Sequence, residues 1–349
     1  MHTSIARFAG HILTSSYLLL LTAWSVSCFG QQSSKLSLLA LSKGDHTLSI
    51  VDPVSLKIMG KVPVGADPHE VTASPDGKRA YVAIYGGGAF HELNVIDLAN
   101  QKALANIDTR PLFGPHDLVF VNGKVWFTAE GSKAIGRFDP ASGKLDWSMG
   151  TGQDRTHMIY VSPNEKNIYT TNISSGTVSI LTDSMIQPGN AAPPNARPRQ
   201  EWVHTILPAA RGTEGFDVLP DGSQLWTAAS EDGSITIIDL LKKEVITKLD
   251  AGALGANRLK FTPDGKLAFI SSLSTGDLYI FETATRQLVK KLKIGNGAAG
   301  ILMDPDGSRV FVACSPDNNI AIVSIKQLEV TGRLEVGRNP DGMTWAVKQ

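Results

Sequence analysis

The stretch Pro68-His69-Glu70-Val71-Thr72-Ala73-Ser74-Pro75-Asp76-Gly77 recurs, in weakened form, down the rest of the chain. Pro115-His116-Asp117-Leu118 leads to Asn122-Gly123, and Thr156-His157-Met158-Ile159 leads to Ser162-Pro163-Asn164. Glu214-Gly215-Phe216, Asn257-Arg258-Leu259 and Ala299-Gly300-Ile301 each lead to a Pro-Asp-Gly, and Pro340-Asp341-Gly342-Met343 ends the series. Measured at the His69 position, the steps are 47, 41, 57, 43, 42 and 42 residues. Self-similarity at such a period marks a repeat architecture, in which neighbouring units share a core.

Each unit reads as four short strands. In the unit that begins near 68, His69–Ala73 precedes the Ser-Pro-Asp-Gly turn. Runs at 80–84, 93–97 and 102–107 follow. Val, Ile, Tyr and alternating Ala fill the runs, and Gly, Pro, Asp and Asn bound them. Pro-Asp-Gly supplies a fixed φ at one position and a tolerated positive φ at another, so it turns the chain by a defined mechanism. Other units repeat the scheme, as in Val125-Trp126-Phe127-Thr128 and Ile168-Tyr169-Thr170-Thr171. No helical period is sustained anywhere, so the expected class is all-β.

A repeated four-stranded unit of this length is a β-propeller blade, as in WD40-like arrays. Six complete blades begin near residues 68, 115, 156, 213, 256 and 298. The C-terminal Gly342–Val347 is a lone inner strand, and the N-terminal runs 36–41, 47–51 and 56–62 are what it lacks. Joined, they make a seventh blade and hide the edges of the array. Residues 31–349 are therefore expected to form one seven-bladed domain. The long step is explained by Ser184–Glu201, which holds Pro188, Pro193, Pro194 and Pro198 and reads as an exposed loop between the third and fourth strands of its blade.

Residues 1–30 have the pattern of a secretory signal: Arg7, an apolar run from Ile12 to Val26, then small residues at Ser25, Ser27 and Gly30. The apolar run is shorter than a membrane span requires. Cleavage after Gly30 leaves an exported protein, periplasmic or extracellular. Cleavage before Cys28 would leave a lipid-anchored one, although Ser25 stands where a lipoprotein signal usually has Leu. Only Cys314 then remains, so no intramolecular disulfide forms and stability comes from packing and ring closure. Cys314 itself reads as a small buried hydrophobe.

The run Ser74-Pro75-Asp76-Gly77-Lys78-Arg79-Ala80-Tyr81-Val82 and its copies resemble the YVTN-type propeller repeat. Leu225-Trp226-Thr227-Ala228 with Gly233–Asp239, and Thr170-Thr171-Asn172 with Gly176–Ile180, are similar to the secreted YncE-like group of that family. The resemblance covers about residues 36–349. It implies the fold strongly and an activity weakly, because the wider superfamily includes lactonases, quinone- and haem-dependent dehydrogenases and pure binding scaffolds.

In a propeller the start of each inner strand points toward one mouth of the axial channel. That ring is His69, His116, His157, Glu214, Asn257, Ala299 and Asp341. Loops feeding the same mouth add Asp67, Arg110, Asp154, Arg155, Arg211, Arg258 and Arg338, with His91 and Glu92 nearby. Three readings are open. One is a binding site for a small polar or anionic ligand, or a protein partner, made by His69, His116, His157, Arg155, Arg211, Glu214, Asn257, Arg258 and Asp341. A second is a divalent metal held by His69, His116 and His157. A third is lactone hydrolysis, with His157 as acid or base, Glu214 orienting it and Arg258 holding a carboxylate. Ring polar residues that only bind channel water are the plain alternative.

Other signals carry less. Gly295–Gly300 fits G-x-G-x-x-G, but a strand and a turn follow it and no pyrophosphate site forms. Asp304–Gly307 lacks the later ligands of a calcium loop. Asn172-Ile173-Ser174 is a sequon, and no Gly-x-Ser-x-Gly occurs. Lys plus Arg and Asp plus Glu are both 33, and aromatic residues are 7% of the chain. That neutrality and scarcity of stacking side chains speak against nucleic acid, including the single-stranded DNA that the resemblance brings to mind. The protein is expected to be a monomer.

Overall fold

In the computed structural model, residues 1–2 and 35–348 are described, apart from 190–192 and 194. The signal-like segment and Cys28 therefore lie outside the described residues. From Leu36 onward the chain forms seven antiparallel blades of four strands, a seven-bladed β-propeller. Blade 1 is composite: Pro340–Val347 is its inner strand, followed outward by Leu36–Ser42, Thr47–Asp52 and Lys57–Pro63. Inner strands Pro68–Ala73, Pro115–Val121, Thr156–Val161, Thr213–Val218, Ala256–Phe261 and Ala298–Met303 open blades 2 to 7.

The turn chemistry accounts for the hairpin after each inner strand. Gly77 N–H donates to Ser74 O at 2.8 Å with Gly77 at φ 68°. Asp76 accepts from the Ser74 hydroxyl and from Lys78 N–H. Blade 3 instead turns on Asn122 and Gly123, both at positive φ, the two-residue geometry that matches strand twist.

Blades pack face to face, so each core cluster is shared by neighbours. Tyr81 and Ala83 of blade 2 pack with Leu118 and Phe127 of blade 3. Leu38 and Ala40 of blade 1 pack with Phe311, Ala313 and Ile320 of blade 7. Trp126, Trp226, Phe127, Phe269 and Phe311 on second strands are fully buried. At the closure, Leu36–Ser42 pairs antiparallel with Pro340–Val347, and Trp345 Nε1 donates to Met303 O at 2.7 Å. Cys314 is buried in this core, and so is Asn172, whose amide donates to Thr177 Oγ1 and Ser179 Oγ. The sequon at 172 is thus closed to modification in the folded protein.

Two expectations need correction. The Pro-rich insertion is not a loop throughout 184–201. The strands of blade 4 run on as Thr177–Ile186 and Arg199–Pro208, with Ser184 facing Glu201 and Ile186 facing Arg199. The ladder ends where Pro188 and Pro198 withhold an N–H, so only 187–198 bridges the two strands. The fourth strand of blade 2 is broken into Lys102–Ala103 and Ile107–Asp108. Three residues there oppose two on the partner strand, a bulge crossed by the hydrogen bond from Leu104 N–H to Val95 O at 2.8 Å.

Candidate functional site

Each inner strand begins at the mouth and runs away from it, and each second strand returns. The first residue of the turn after a second strand therefore stands beside the inner ring. Lys43, Tyr85, Glu130, Leu273 and Ser315 occupy that place in blades 1, 2, 3, 6 and 7. The sequence reading missed these residues. Their signal is the same period, counted one strand later.

The ring residues are fastened to the neighbouring blade. Thr128 Oγ1 donates to His157 O at 2.6 Å, Thr171 Oγ1 to Glu214 O at 2.6 Å, and Ser271 Oγ to Ala299 O at 2.6 Å. A hydroxyl of one second strand thus fixes the backbone of the next blade's ring residue. Asp117 adds a carboxylate that accepts from Ile159 N–H at 2.8 Å.

All seven ring positions line one cavity of about 400 Å³. Lys43, Tyr85, Arg155, Arg258, Leu273, Ser315, Pro316 and Asn339 complete its wall. The three imidazoles of successive blades meet, with ring centroids 4.5 Å apart for His69 and His116 and 3.8 Å for His116 and His157. His116 and His157 are each 2% exposed. His157 Nδ1 hydrogen-bonds Glu130 Oε1, and its Nε2 lies 3.4 Å from Glu214 Oε1. Glu130 Oε2 accepts from the Tyr85 hydroxyl at 2.6 Å and lies 3.4 Å from Arg155 Nε. His69 Nε2 faces Asp67 at 3.0 Å, and Lys43 Nζ donates to Asp341 at 3.2 Å. Asn257 donates its amide to Glu214 Oε1.

Electrostatics separate these groups. Burial, then the positive neighbours, pushes His116 well below the ordinary imidazole range. Burial alone would do the same to His157. Hydrogen bonds and charges of Glu130 and Glu214 outweigh it, and His157 is raised. Burial opposes ionisation of Glu130 too, but His157, Tyr85 and Arg155 bring it down to about 2. Burial would also raise Asp341, which Lys43, Arg258 and His69 hold below its usual value.

The arginines behave differently from one another. Arg258 lines the cavity but is 5% exposed and bonds Glu70 Oε1 at 2.6 Å and Glu214 Oε1 at 3.3 Å. Arg211 is outside the cavity lining and pairs with Glu231 at 3.4 Å on the surface. Arg110 and Arg338 likewise pair with exposed or half-exposed Asp108 and Asp45. Asp154 pairs with Lys133, and His91 with Asp108. Among the arginines named from the sequence, only Arg155 and Arg258 reach the cavity, and both already hold carboxylates.

Among the described residues, no helix is long and apolar enough to cross a membrane. No protein-family profile matches the chain, and no curated protein matches it. Solved structures do. A functionally unknown protein from Desulfotomaculum acetoxidans superposes with a TM-score of 0.71 at 13% identity, over 90% of this chain and 99% of that one. A candidate 6-phosphogluconolactonase from Bacteroides uniformis gives 0.69 at 17% identity, over 89% and 99%. Hydrazine synthase of Kuenenia stuttgartiensis gives 0.62 at 16% identity, over 79% and 88%. At these identities the likeness is one of fold: the chain is a β-propeller, and its chemistry has to be argued from its own mouth.

Proposed function

We propose that this protein is an exported, YncE-like propeller that binds a small polar ligand in the axial mouth. One observation carries the reading. His116 Nδ1 and Asn257 Oδ1 are buried, belong to residues on the wall of one cavity, and have no hydrogen-bond partner among the described residues. A buried polar atom left without a partner costs roughly 1–3 kcal/mol, so the two together favour a guest that satisfies them. The volume of about 400 Å³ lies within the range of small-molecule sites. Lys43 and Arg155 offer donors, while Asp341 and Glu214 offer acceptors. A ligand carrying both kinds of group fits this wall better than a simple anion, because its arginines are already paired.

The Glu130–His157 pair favours a second reading, lactone hydrolysis. A carboxylate on Nδ1 orients the imidazole and stabilises its protonated form, which suits a general acid whose Nε2 lies 3.4 Å from the cavity-lining Glu214. The Bacteroides uniformis structure named above is described in those terms.

A thermal-shift screen of small zwitterionic, anionic and neutral polar compounds tests the first reading, since a ligand of the native state raises the melting temperature. Binding that disappears in Asn257→Ala supports it. A screen in which nothing shifts the native protein rejects it. Lactone turnover abolished by His157→Ala would establish the second reading instead.

A further inference from the structure

We infer that the wall of the mouth built by blades 3 and 4 is a binding site for a divalent first-row transition metal, with His116, Glu130 and His157 as its protein ligands. The inference goes beyond the small-molecule reading and does not depend on it. One nitrogen from each imidazole and one carboxylate oxygen of Glu130 lie within 4.8 Å of one another, and all three residues are buried. Imidazole nitrogens with a carboxylate are the donor set of zinc, copper, nickel and iron sites, whereas calcium and magnesium take oxygen ligands.

A second observation is independent of that clustering. His116 Nδ1 is buried, lacks a partner among the described residues, and belongs to a ring on the cavity wall. Its lone pair has no assigned use inside the protein.

The surroundings are those of supported ligands. Glu130 presents Oε1 toward His157, while its Oε2 is held by the Tyr85 hydroxyl at 2.6 Å. His157 places Nδ1 at Glu130 and turns Nε2 to Glu214 Oε1, 3.4 Å away. Ligation through Nδ1 therefore leaves Nε2–H facing a carboxylate. Metal-bound histidines and carboxylates carry outer partners of this kind, which set ring orientation and tautomer. His69 was grouped with the other two imidazoles from the sequence, but the group whose ligand atoms lie within 4.8 Å of one another is His116, Glu130 and His157, without His69. Three protein ligands leave the ion's remaining positions for water or for a cavity-bound molecule.

The test is titration of the full chain, free of any histidine tag and stripped with chelator, with Zn²⁺ by calorimetry and with Cu²⁺ by electron paramagnetic resonance. We expect about one equivalent of tightly bound ion and a copper spectrum split by imidazole nitrogens. Tyr85→Phe should weaken binding roughly 10-fold. His116→Asn and Glu130→Gln, which remove a ligand outright, should weaken it by more than roughly 100-fold. Arg199→Ala, on the outer strand of blade 4 and paired with Glu201, should leave it unchanged. Circular dichroism and melting of each variant separate lost ligation from lost folding, and Tyr85→Phe, which keeps all three ligands, is the variant least prone to unfold. Absence of uptake by the native protein, or uptake unchanged in folded His116→Asn, overturns the proposal. The ligand screen run on stripped protein is read separately, so either inference can fail alone.

Discussion

Arg258 Nη2 lies 2.6 Å from Glu70 Oε1, although the two residues are 188 positions apart in sequence and belong to blades 6 and 2. Two blades stand between them. At the matching position those blades carry Gly300 and Gly342, which have no side chain to block the reach. Burial, with Asp341 and Asp117 close by, pushes the Glu70 carboxyl up even though Arg258 opposes the shift. The pair underlies the mouth and ties opposite parts of the ring together. Removing one member strands a buried charge, which costs about 3–5 kcal/mol, so Glu70→Ala should lose that much stability in denaturant unfolding. Glu70→Leu combined with Arg258→Met removes both charges and should lose distinctly less. Equal losses in the single and double variants would show that the charges are not coupled.

The glycines that make room for this pair are themselves testable. A Cβ at Gly300 would stand 2.3 Å from Asp341 O, and one at Gly342 2.3 Å from His69 O. Neither contact involves a side chain that could swing away, so inner strands must shift. Gly300→Ala is expected to cost about 1–3 kcal/mol, the scale of overpacking. Gly150, on an outer strand, has nothing within 4 Å of the same added atom. Gly150→Ala should be neutral or stabilise by about 0.4–1 kcal/mol through the unfolded chain. Similar melting curves for the two variants would contradict the close packing at the axis.

Acid should reach the mouth through Asp67. Its hydrogen bond with His69 leads the effects that lower its pKa from 3.8 to about 2, against a smaller burial penalty. A carboxylate depressed in the fold adds stability that is present above its unfolded pKa and is lost as pH falls toward the folded one. The gap between native protein and Asp67→Asn should therefore be constant at neutral pH and shrink between about pH 4 and pH 2. Unfolding free energies measured across that range check it. Parallel curves would mean that the bond with His69 does not survive in solution.

The inner ring of the site was legible in the sequence because a repeat converts position within the period into position in space. His69, His116, His157, Glu214, Asn257, Ala299 and Asp341 share one phase of the repeat and do share one cavity. Glu130 and Tyr85 share another phase, at the ends of second strands, where the residue type changes from blade to blade and nothing marks them as chemical. The arginines were misleading for a different reason. Arg211 and Arg338 sit in turns, whose side-chain direction is not set by strand alternation, and an exposed carboxylate captures each. Arg258 is on a strand, yet its partner is chosen by the absence of side chains at Gly300 and Gly342, a three-dimensional fact with no local signature.

Closure of the ring supports everything at the mouth, and it rests on one terminal strand. Pro340–Val347 pairs with Leu36–Ser42, and Ser42 Oγ donates to Arg338 O at 2.7 Å across the same seam. Phe311 and Trp345 meet edge to face at 5.7 Å, tying the strand to blade 7 as well. A chain ending at Asn339 would expose the backbone of Leu36–Ser42 and the buried Leu38 and Ala40. It would also lack Asp341, the partner of Lys43. Such a chain should lose the single cooperative unfolding transition and self-associate. A synthetic peptide spanning 340–349 should restore a native-like transition in a concentration-dependent manner, because the strand then binds as a ligand of the folded ring. Native-like melting of the shortened chain without peptide would show that six blades and an N-terminal remnant close unaided, and the seam would then be incidental to the site.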